Sequence, residues 1–441
     1  MAARHCAPAE SGSRLTSRDA PDPVSFGRND RAEDSRAPRV CLHIGEPKTG
    51  TSYLQSSLWS NRARLAAQGV TLPGYNHQDH NRASRDVREA QRAPSDPADP
   101  WAGEWDVLTG QALRARGTAV ISDEILVACN PEQAGRALRP LASADVHIIL
   151  TVRDFASVLP AEWQESVKCR GTVPWEQWLD RVITAEPAAD RRRRSWFWTV
   201  HDTLATLDMW SRNIPPDHVH VITVPPRGPL ELLWERFASV LGIDPGCIDL
   251  TEARINPSLG VPEAEFLRRF NERLPEDVPY WFYTRDIKRI LALDLLRSRP
   301  RQLRLGLPPH REAWAREQSE ILVAGLRDAK YDIIGDLDEL IPRPATGSYA
   351  GPADQPAGQL ADAAVSAAAE LLHRLYLEKT LQVRRWERPS GPREAVSRLK
   401  WQALNGPWTR RVLRDASHLA AVRRLRVVIW RVLMRPARHH Q

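Results

Sequence analysis

Residues 39–55 read RVCLHIGEPKTGTSYLQ, and they constrain the fold more than any other stretch of the chain. Val40 to Ile44 is an apolar run of strand character. It enters a turn holding Gly45, Pro47 and Gly50, and a helical pattern starts from Ser52. A strand that passes through glycines into a helix turns the free N–H groups of the helix N-terminus toward the turn. Such a turn holds an anion, phosphate above all.

A second stretch, DVHIILTVRDFASVLPAEWQESVK at 145–168, has the same logic. Val146 to Val152 is mostly apolar and suits a buried parallel strand. Arg153 stands at its C-terminal end. Open α/β sheets bind ligands outside the carboxyl ends of their strands, and an arginine there can give a phosphate two parallel hydrogen bonds. The competing reading pairs Arg153 with Asp154 or another carboxylate.

The spacing Gly45, four residues, Gly50, then Thr51-Ser52 approaches the nucleotide-triphosphatase pattern G-x-x-x-x-G-K-[ST]. Position 51 holds Thr, however, and the loop's lysine is Lys48, behind Pro47. The string P-K-T-G-T-S, Pro47 to Ser52, directly after a strand, resembles the 5′-phosphosulfate loop of bacterial-type sulfotransferases that use 3′-phosphoadenosine 5′-phosphosulfate (PAPS). Arg153 resembles the 3′-phosphate arginine of that family. The serine expected eight residues later is Ala161 here, and Ser157, one turn early, is the substitute. WSRNIPPDHVHVITVPP followed by LLWERFASVLGI is similar to the family's late strand and helix. ARINPSLG at 253–260 resembles a loop that covers the nucleotide, with Asn256 and Ser258 as contacts.

The resemblance implies sulfuryl transfer from PAPS to a hydroxyl or amine of a small-molecule, carbohydrate or lipid acceptor. It implies Lys48, Thr49, Gly50, Thr51, Ser52, Arg153 and Ser157 as donor-binding residues. Lys48 is the catalytic cation, since negative charge grows on the oxygen that leaves sulfur. No metal is required. The acceptor proton needs a base. The resemblance to S-x-E points to Glu124 in AVISDEIL, 119–126. Successive residues at a strand end point opposite ways, so Asp123 is the alternative, unless it caps a helix starting at Glu124. His77 and His80, in GYNHQDHNR, are in reserve. Two other functions stay open. A P-loop kinase or ATPase would use VISDE at 120–124 to hold Mg²⁺, against Thr51 where lysine is needed. A catalytically degenerate binding module is kept alive by Ala161.

Strand candidates are Val40–Ile44, Ala119–Ser122, Val146–Val152 and Val219–Val224. Helical stretches are Ser52–Gln68, Trp105–Arg116, Pro160–Lys168, Val173–Thr184, His201–Ser211, Leu230–Leu241 and Glu263–Leu274. Strands separated by helices predict a three-layer α/β/α domain with a central parallel sheet, P-loop-containing nucleotide-hydrolase-like, over 39–343. Residues 1–38 are Ser, Ala, Pro, Arg and Asp rich and read as a disordered tail. Residues 344–370 read as a linker, and 371–441 as a basic helical extension. Arg191–Arg194, beside Ser195-Trp196-Phe197-Trp198, reads as a solvated run next to core aromatics, with an anionic or sugar acceptor as the other reading.

Charge divides the chain. From Lys379 onward there are 16 Lys/Arg against 3 Asp/Glu, so the tail carries +13 of a net +7 and the rest is −6. The body is therefore not built for nucleic acid, and the asymmetry points to a tail with its own partner, an anionic membrane surface, an acidic partner or the acidic body of its own chain, with docking or disorder without function as the competing reading. In the last helix, Arg424, Arg431, Arg435 and Arg438 share a face, while Arg423 and Arg426 interrupt the apolar side. Five scattered cysteines, with no C-x-x-C pair, predict neither a zinc site nor a disulfide framework and point to a reduced compartment. No secretory leader or membrane span is read from the sequence, so a cytoplasmic protein is expected.

Overall fold

A computed structural model of the protein describes residues 37–88, 101–185, 195–226, 228–251, 253, 258–298, 303–344 and 349–387. The chain divides into Met1–Ala37 and Pro38–Gln441. The N-terminal tail up to residue 36, the arginines at 191–194, Asn256 and the basic tail from residue 388 lie outside the described residues.

Six strands are described: β1 (Arg39–Gly45), β2 (Val70–Thr71), β3 (Thr118–Ser122), β4 (Asp145–Val152), β5 (Val219–Thr223) and β6 (Asp332–Ile334). They form one sheet in the order β2-β3-β1-β4-β5-β6, and every pairing is parallel. The helices are α1 (Thr51–Ser60), α2 (Arg62–Ala67), α3 (His77–Arg88), α4 (Glu104–Ala112), α5 (Pro131–Leu138), α6 (Phe155–Lys168), α7 (Trp175–Thr184), α8 (Trp196–His201), α9 (Thr203–Ser211), α10 (Glu231–Leu241), α11 (Val261–Arg273), α12 (Tyr280–Phe282), α13 (Pro309–Asp328) and α14 (Ala357–Glu387). α12 continues into a π-helical stretch, Tyr283–Leu295.

Alternation along the strands sends side chains to opposite faces. Val40, Leu42 and Ile44 of β1 join a large core with α3 to α9, α11 and α13. Cys41 faces the other way, with Tyr53, Leu54 and Leu58 of α1, Leu65 of α2 and Trp234 and Phe237 of α10. The result is the expected α/β three-layer architecture.

Some boundaries differ from the sequence reading, for local reasons. The stretch read as one helix, Ser52–Gln68, breaks at Asn61, whose amide donates to Ser57 O at 3.0 Å and Asp249 O at 2.7 Å. α6 starts at Phe155 rather than Pro160, because Asp154 caps it by accepting from Ser157 N at 2.9 Å. The linker expected to 370 is helical from Ala357. Its sequence, ADAAVSAAAELL, is rich in alanine, the strongest helix former. Ala363 and Ala367 are buried, and α14 packs on α11. Among the described residues, no helix is long and apolar enough to cross a membrane.

Candidate active site

The strand order fixes where a ligand fits. From β1 the chain leads toward β2 and β3, and from β4 it leads the other way, toward β5. Adjacent strands whose connections diverge leave a crevice at their carboxyl ends. The loop after β1 and Arg153 after β4 flank that crevice.

The loop is held in a form open to few sequences. Lys48 has φ 63°, the left-handed region, which is unfavourable for a residue with a side chain by about 1–2 kcal/mol. Gly50 has φ 91°, and a Cβ there would collide with Leu233 Cδ2, so the backbone favours glycine and a side chain would have to displace Leu233. Thr49 is fully buried. Its hydroxyl donates to Glu46 O at 2.5 Å and lies 2.5 Å from Thr151 Oγ1 of β4. The Thr49 hydroxyl thus pins the loop to the sheet. Thr51 and Ser52 begin α1, with Thr51 buried and Ser52 exposed. Their N–H groups belong to the first turn, which has no intrahelical acceptors.

Lys48 extends toward α6. Its Nζ lies 2.7 Å from Glu165 Oε2. Lys168 Nζ lies 2.8 Å from the same oxygen, and Lys288 Nζ, from the π-helical stretch, 2.7 Å from Glu165 Oε1. Three ammonium groups thus share one carboxylate. Burial opposes ionisation of Glu165, but Lys48, Lys168 and Lys288 outweigh it and hold the carboxyl far below the usual range. Burial likewise opposes the charge of Lys48, yet Glu165, Glu162 and Glu124 raise its pKa above the ordinary lysine value. Lys168 is lowered, by burial first and then by its lysine neighbours, against the pull of Glu165. The cluster of four carries +2 beside the loop.

Behind it lies a buried charged trio. His201 Nδ1 is 3.2 Å from Glu46 Oε2, and His201 Nε2 is 3.4 Å from Glu162 Oε1, an ion-pair distance without hydrogen-bond alignment. Thr203 Oγ1 donates to Glu46 Oε1 at 2.5 Å. Burial disfavours the charged imidazole, but Glu162 and Glu46 overcome it and push the His201 pKa up to about 9.

Glu124 opens a short 3₁₀ turn, Glu124–Ala128, and its Oε2 accepts from Gln55 Nε2 of α1 at 2.7 Å. This joins it to the helix that begins at the loop. Asp123 caps that turn through Ile125 N at 3.0 Å and accepts from Asn81 Nδ2 at 3.1 Å, so its carboxylate is occupied structurally. Burial, and secondarily Glu124, raise its pKa to about 7. His80 is fully buried. Ser122 N donates to its Nδ1 at 3.1 Å and its Nε2 lies 2.9 Å from Pro73 O. Burial lowers its pKa to about 4, and both ring nitrogens are engaged. His77 is exposed at the start of α3.

At the β4 end, the Arg153 Nε is buried with no hydrogen-bond partner among the described residues. Burial lowers the pKa of Arg153, Arg304 lowers it further, and Asp154 opposes both. Ser157 lies in the first turn of α6 and lines a cleft of about 420 Å³ with Asp154, Pro226, Glu312, Arg316 and Arg343. Ser258 is exposed. Just after it, Leu259 exchanges two 3.0 Å hydrogen bonds with the Gln164 side chain of α6. Phe197 and Trp198 are core aromatics, while Trp196 is 54% exposed.

The sequence reading missed Glu46, Glu162, Glu165, Lys168, His201 and Lys288. Glu162, Glu165 and Lys168 were legible in principle: spaced by three on α6, they fall near one helical face below Arg153. His201 and Lys288 come from distant segments with no local pattern.

No protein-family model matches the chain, and no curated protein matches it. Among solved structures, a crystal structure of a sulfotransferase from Alicyclobacillus acidocaldarius is similar at a TM-score of 0.30 and 18% identity, over 51% of this chain and 87% of that one. A likeness that loose carries no argument about the reaction.

Proposed function

We propose that this chain is a sulfotransferase that moves a sulfuryl group from PAPS to a hydroxyl or amine of a small-molecule, carbohydrate or lipid acceptor. The observation that carries the reading is Lys48, held in a left-handed loop conformation beside two further lysines, with Arg153, whose buried Nε has no partner among the described residues, at the end of the neighbouring strand. β1 and β4 pair with Gly45 opposite Leu150, and Arg153 stands three residues past that point, roughly 10 Å along the strand. A cation on each of these neighbouring strand ends, Lys48 after β1 and Arg153 after β4, suits a nucleotide with an anionic group on each side of its ribose. The tight space at Gly50 fits a backbone that closes around a phosphate.

The donor, when bound, supplies the activated sulfuryl group and a phosphate leaving group. Lys48 carries its ammonium on the loop that would hold that phosphate, and its charge stabilises the oxygen that gains charge as it leaves sulfur. Lys168 and Lys288 keep Glu165 paired while Lys48 turns to the ligand. Arg153 and the Ser157 hydroxyl hold the 3′-phosphate. Glu124 accepts the proton of the acceptor as the acceptor oxygen or nitrogen bonds to sulfur. The bond from sulfur to the phosphate oxygen breaks in the same event, leaving a sulfated acceptor and 3′-phosphoadenosine 5′-phosphate (PAP).

Isothermal titration of PAP, against ATP with Mg²⁺, into wild type and Lys48→Ala tests this. The expected result is PAP binding that ATP does not match and that the substitution weakens. ATP binding that depends on Mg²⁺ would move the chain to the kinase or ATPase reading. PAP binding without turnover on any acceptor would make it a binding module.

A further inference from the structure

Lys48 holds φ 63°, and a strained backbone of that kind persists only where its surroundings over-determine it. Glu46, two residues earlier, is where the bracing gathers. All of its polar groups are engaged. Its N–H donates to Thr151 O at 3.0 Å, and its carbonyl accepts from Thr49 Oγ1 at 2.5 Å. Its Oε1 accepts from Thr203 Oγ1 at 2.5 Å, and its Oε2 lies 3.2 Å from His201 Nδ1. The first two contacts fasten the backbone to β4 and to the loop itself. The last two fasten the side chain to the corner between α8 and α9.

His201 reaches on from there to α6. Its Nε2 lies 3.4 Å from Glu162 Oε1, and Glu162 stands three residues before Glu165, the partner of Lys48. One imidazole therefore meets the base of the loop on one side and α6 on the other, the same two elements that the Lys48–Glu165 pair joins. An ionised carboxylate only accepts, so an imidazole between two of them needs a proton toward each. The proton on the far side sits on His201 Nε2 or on Glu162 Oε1. The trio carries −1 in either case, and the bridge stands. Its side chains are 2 to 4% exposed, so water screens it little. Around the ring, Glu46 comes from the loop, Glu162 from α6, the neutral Thr203 hydroxyl from α9, and the Phe197 ring of α8 lies at 4.9 Å. Lys48 is near enough to Glu162 for that carboxylate to raise its pKa.

We infer that His201 is a positioning residue for Lys48: by joining Glu46 to Glu162 it fixes the loop against α6 and so holds the Lys48 ammonium on Glu165. Its value to sulfuryl transfer rests on the donor reading above, whereas the bridge itself is there without a ligand. His201 is buried and touches neither donor nor acceptor. Lys168 and Lys288 cannot replace it, because they belong to α6 and to the π-helical stretch and hold Glu165 without holding the loop. Without the imidazole, two buried carboxylates would face each other across the gap. Their repulsion, and the pull of water on each, would part the loop from α6. Deprotonation has the same effect. The His201 pKa is raised to about 9, so the bridge is whole below that value and fails as pH rises through it.

The first test needs no ligand. The full-length chain is treated briefly with an amine-acetylating reagent, and the extent of modification at each lysine is read by peptide mass spectrometry. Lys48 should be modified severalfold faster in His201→Gln than in wild type, with Lys168, which is buried on α6, unchanged as the sign of an intact fold. Thr203→Val leaves every charge in place and loosens only Glu46. It should shift Lys48 the same way by a smaller step, and it keeps the test open where His201→Gln does not fold. Equal labelling of Lys48 in wild type and a folded variant would overturn the inference, whether or not PAP binds. The second test is titration of PAP. His201→Gln should weaken it about tenfold, the low end of what a hydrogen bond to a charged group contributes, and should have no further effect in a Lys48→Ala background. A loss of the same factor in both backgrounds would mean that His201 supports the fold at large rather than Lys48. The ratio of wild-type to His201→Gln affinity should fall toward one as pH rises through about 9. Lys168 titrates alike in both proteins and cancels in that ratio. A wild type that binds no PAP would sink the donor reading and leave the labelling result to decide the bridge.

Discussion

Lys48 Nζ lies 2.7 Å from Glu165 Oε2, joining the loop after β1 to α6 across the crevice. Lys168 and Lys288 hold the same carboxylate. The loop lysine therefore points toward the crevice before any ligand arrives, and its partner is never left bare when it moves. The shared carboxylate tames three like charges without cancelling them.

Glu165→Gln should expose that balance. It leaves three ammonium groups without a counter-ion in a partly buried site. Removing one partner of such a pair costs about 3 kcal/mol. Urea unfolding at pH 7 should show the loss. The sign with pH follows from the depressed carboxyl pKa. Its stabilisation is complete above the unfolded value, about 4.3, and is lost as pH falls toward the folded value. The difference between wild type and variant should shrink steadily below pH 4. PAP affinity should rise in the variant, because an anionic ligand replaces the missing carboxylate. An unchanged or weaker PAP affinity would place the lysine cluster outside the donor site.

His201 predicts the opposite limb. Its pKa is raised to about 9 in the folded protein from an ordinary 6.5, because Glu162 and Glu46 outweigh burial. The stabilisation is therefore full below about pH 6.5 and is lost as pH rises through about 9. A shift of that size is worth on the order of 3 kcal/mol. His201→Gln should be less stable than wild type at pH 6 and close to it at pH 10, measured by denaturant unfolding at both values. A pH-independent difference would assign the residue's contribution to packing instead.

Gly50→Ala should fail for two separable reasons. The backbone takes φ 91°, and the new methyl would meet Leu233 Cδ2. The first costs about 1–2 kcal/mol, and the second adds overpacking. Leu233→Ala in the same chain should relieve the contact but not the backbone strain. The double variant should therefore regain PAP binding only in part by titration. Full recovery would show that the left-handed conformation is not needed.

The loop was legible because its parts are contiguous. Pro47, Lys48, Gly50 and Thr51 carry the turn, the cation and the helix start within a few residues, and Arg153 announces itself at the end of an apolar run. Glu124 and Asp123 could be located but not told apart, because capping and proton transfer call for the same residue type. The structure separates them by partners: Ile125 N and Asn81 on Asp123, Gln55 on Glu124. Lys288 and His201 were invisible because tertiary packing alone brings them to α6 and Glu46. β2 and β6 were missed because two and three residues are too few to show a period. The expected linker, 344–370, differs for another reason: its alanine-rich second half, with buried contacts, is helix from Ala357.

Arg153 gives the sharpest test of the donor. Its Nε is buried and unpartnered, so in the free protein it is a liability that a bound anion relieves. Arg153→Met should then leave stability unchanged or slightly higher, whereas an arginine already satisfied within the fold would lose stability on replacement. Hydrogen bonds to a charged group contribute about 1.5–3 kcal/mol. PAP should therefore bind roughly ten- to a hundredfold more weakly to the variant, while adenosine 5′-monophosphate, lacking the 3′-phosphate, should bind both proteins alike. Wild type should prefer PAP over the monophosphate, and the variant should lose that preference. Arg153→Lys restores the charge but not the fork of donors, and should recover only part of it. Equal loss for both nucleotides would mean that Arg153 supports the loop fold instead. Ser157→Ala should move in the same direction by a smaller step, since it removes one neutral hydroxyl; no effect there would leave Arg153 to hold the 3′-phosphate without it.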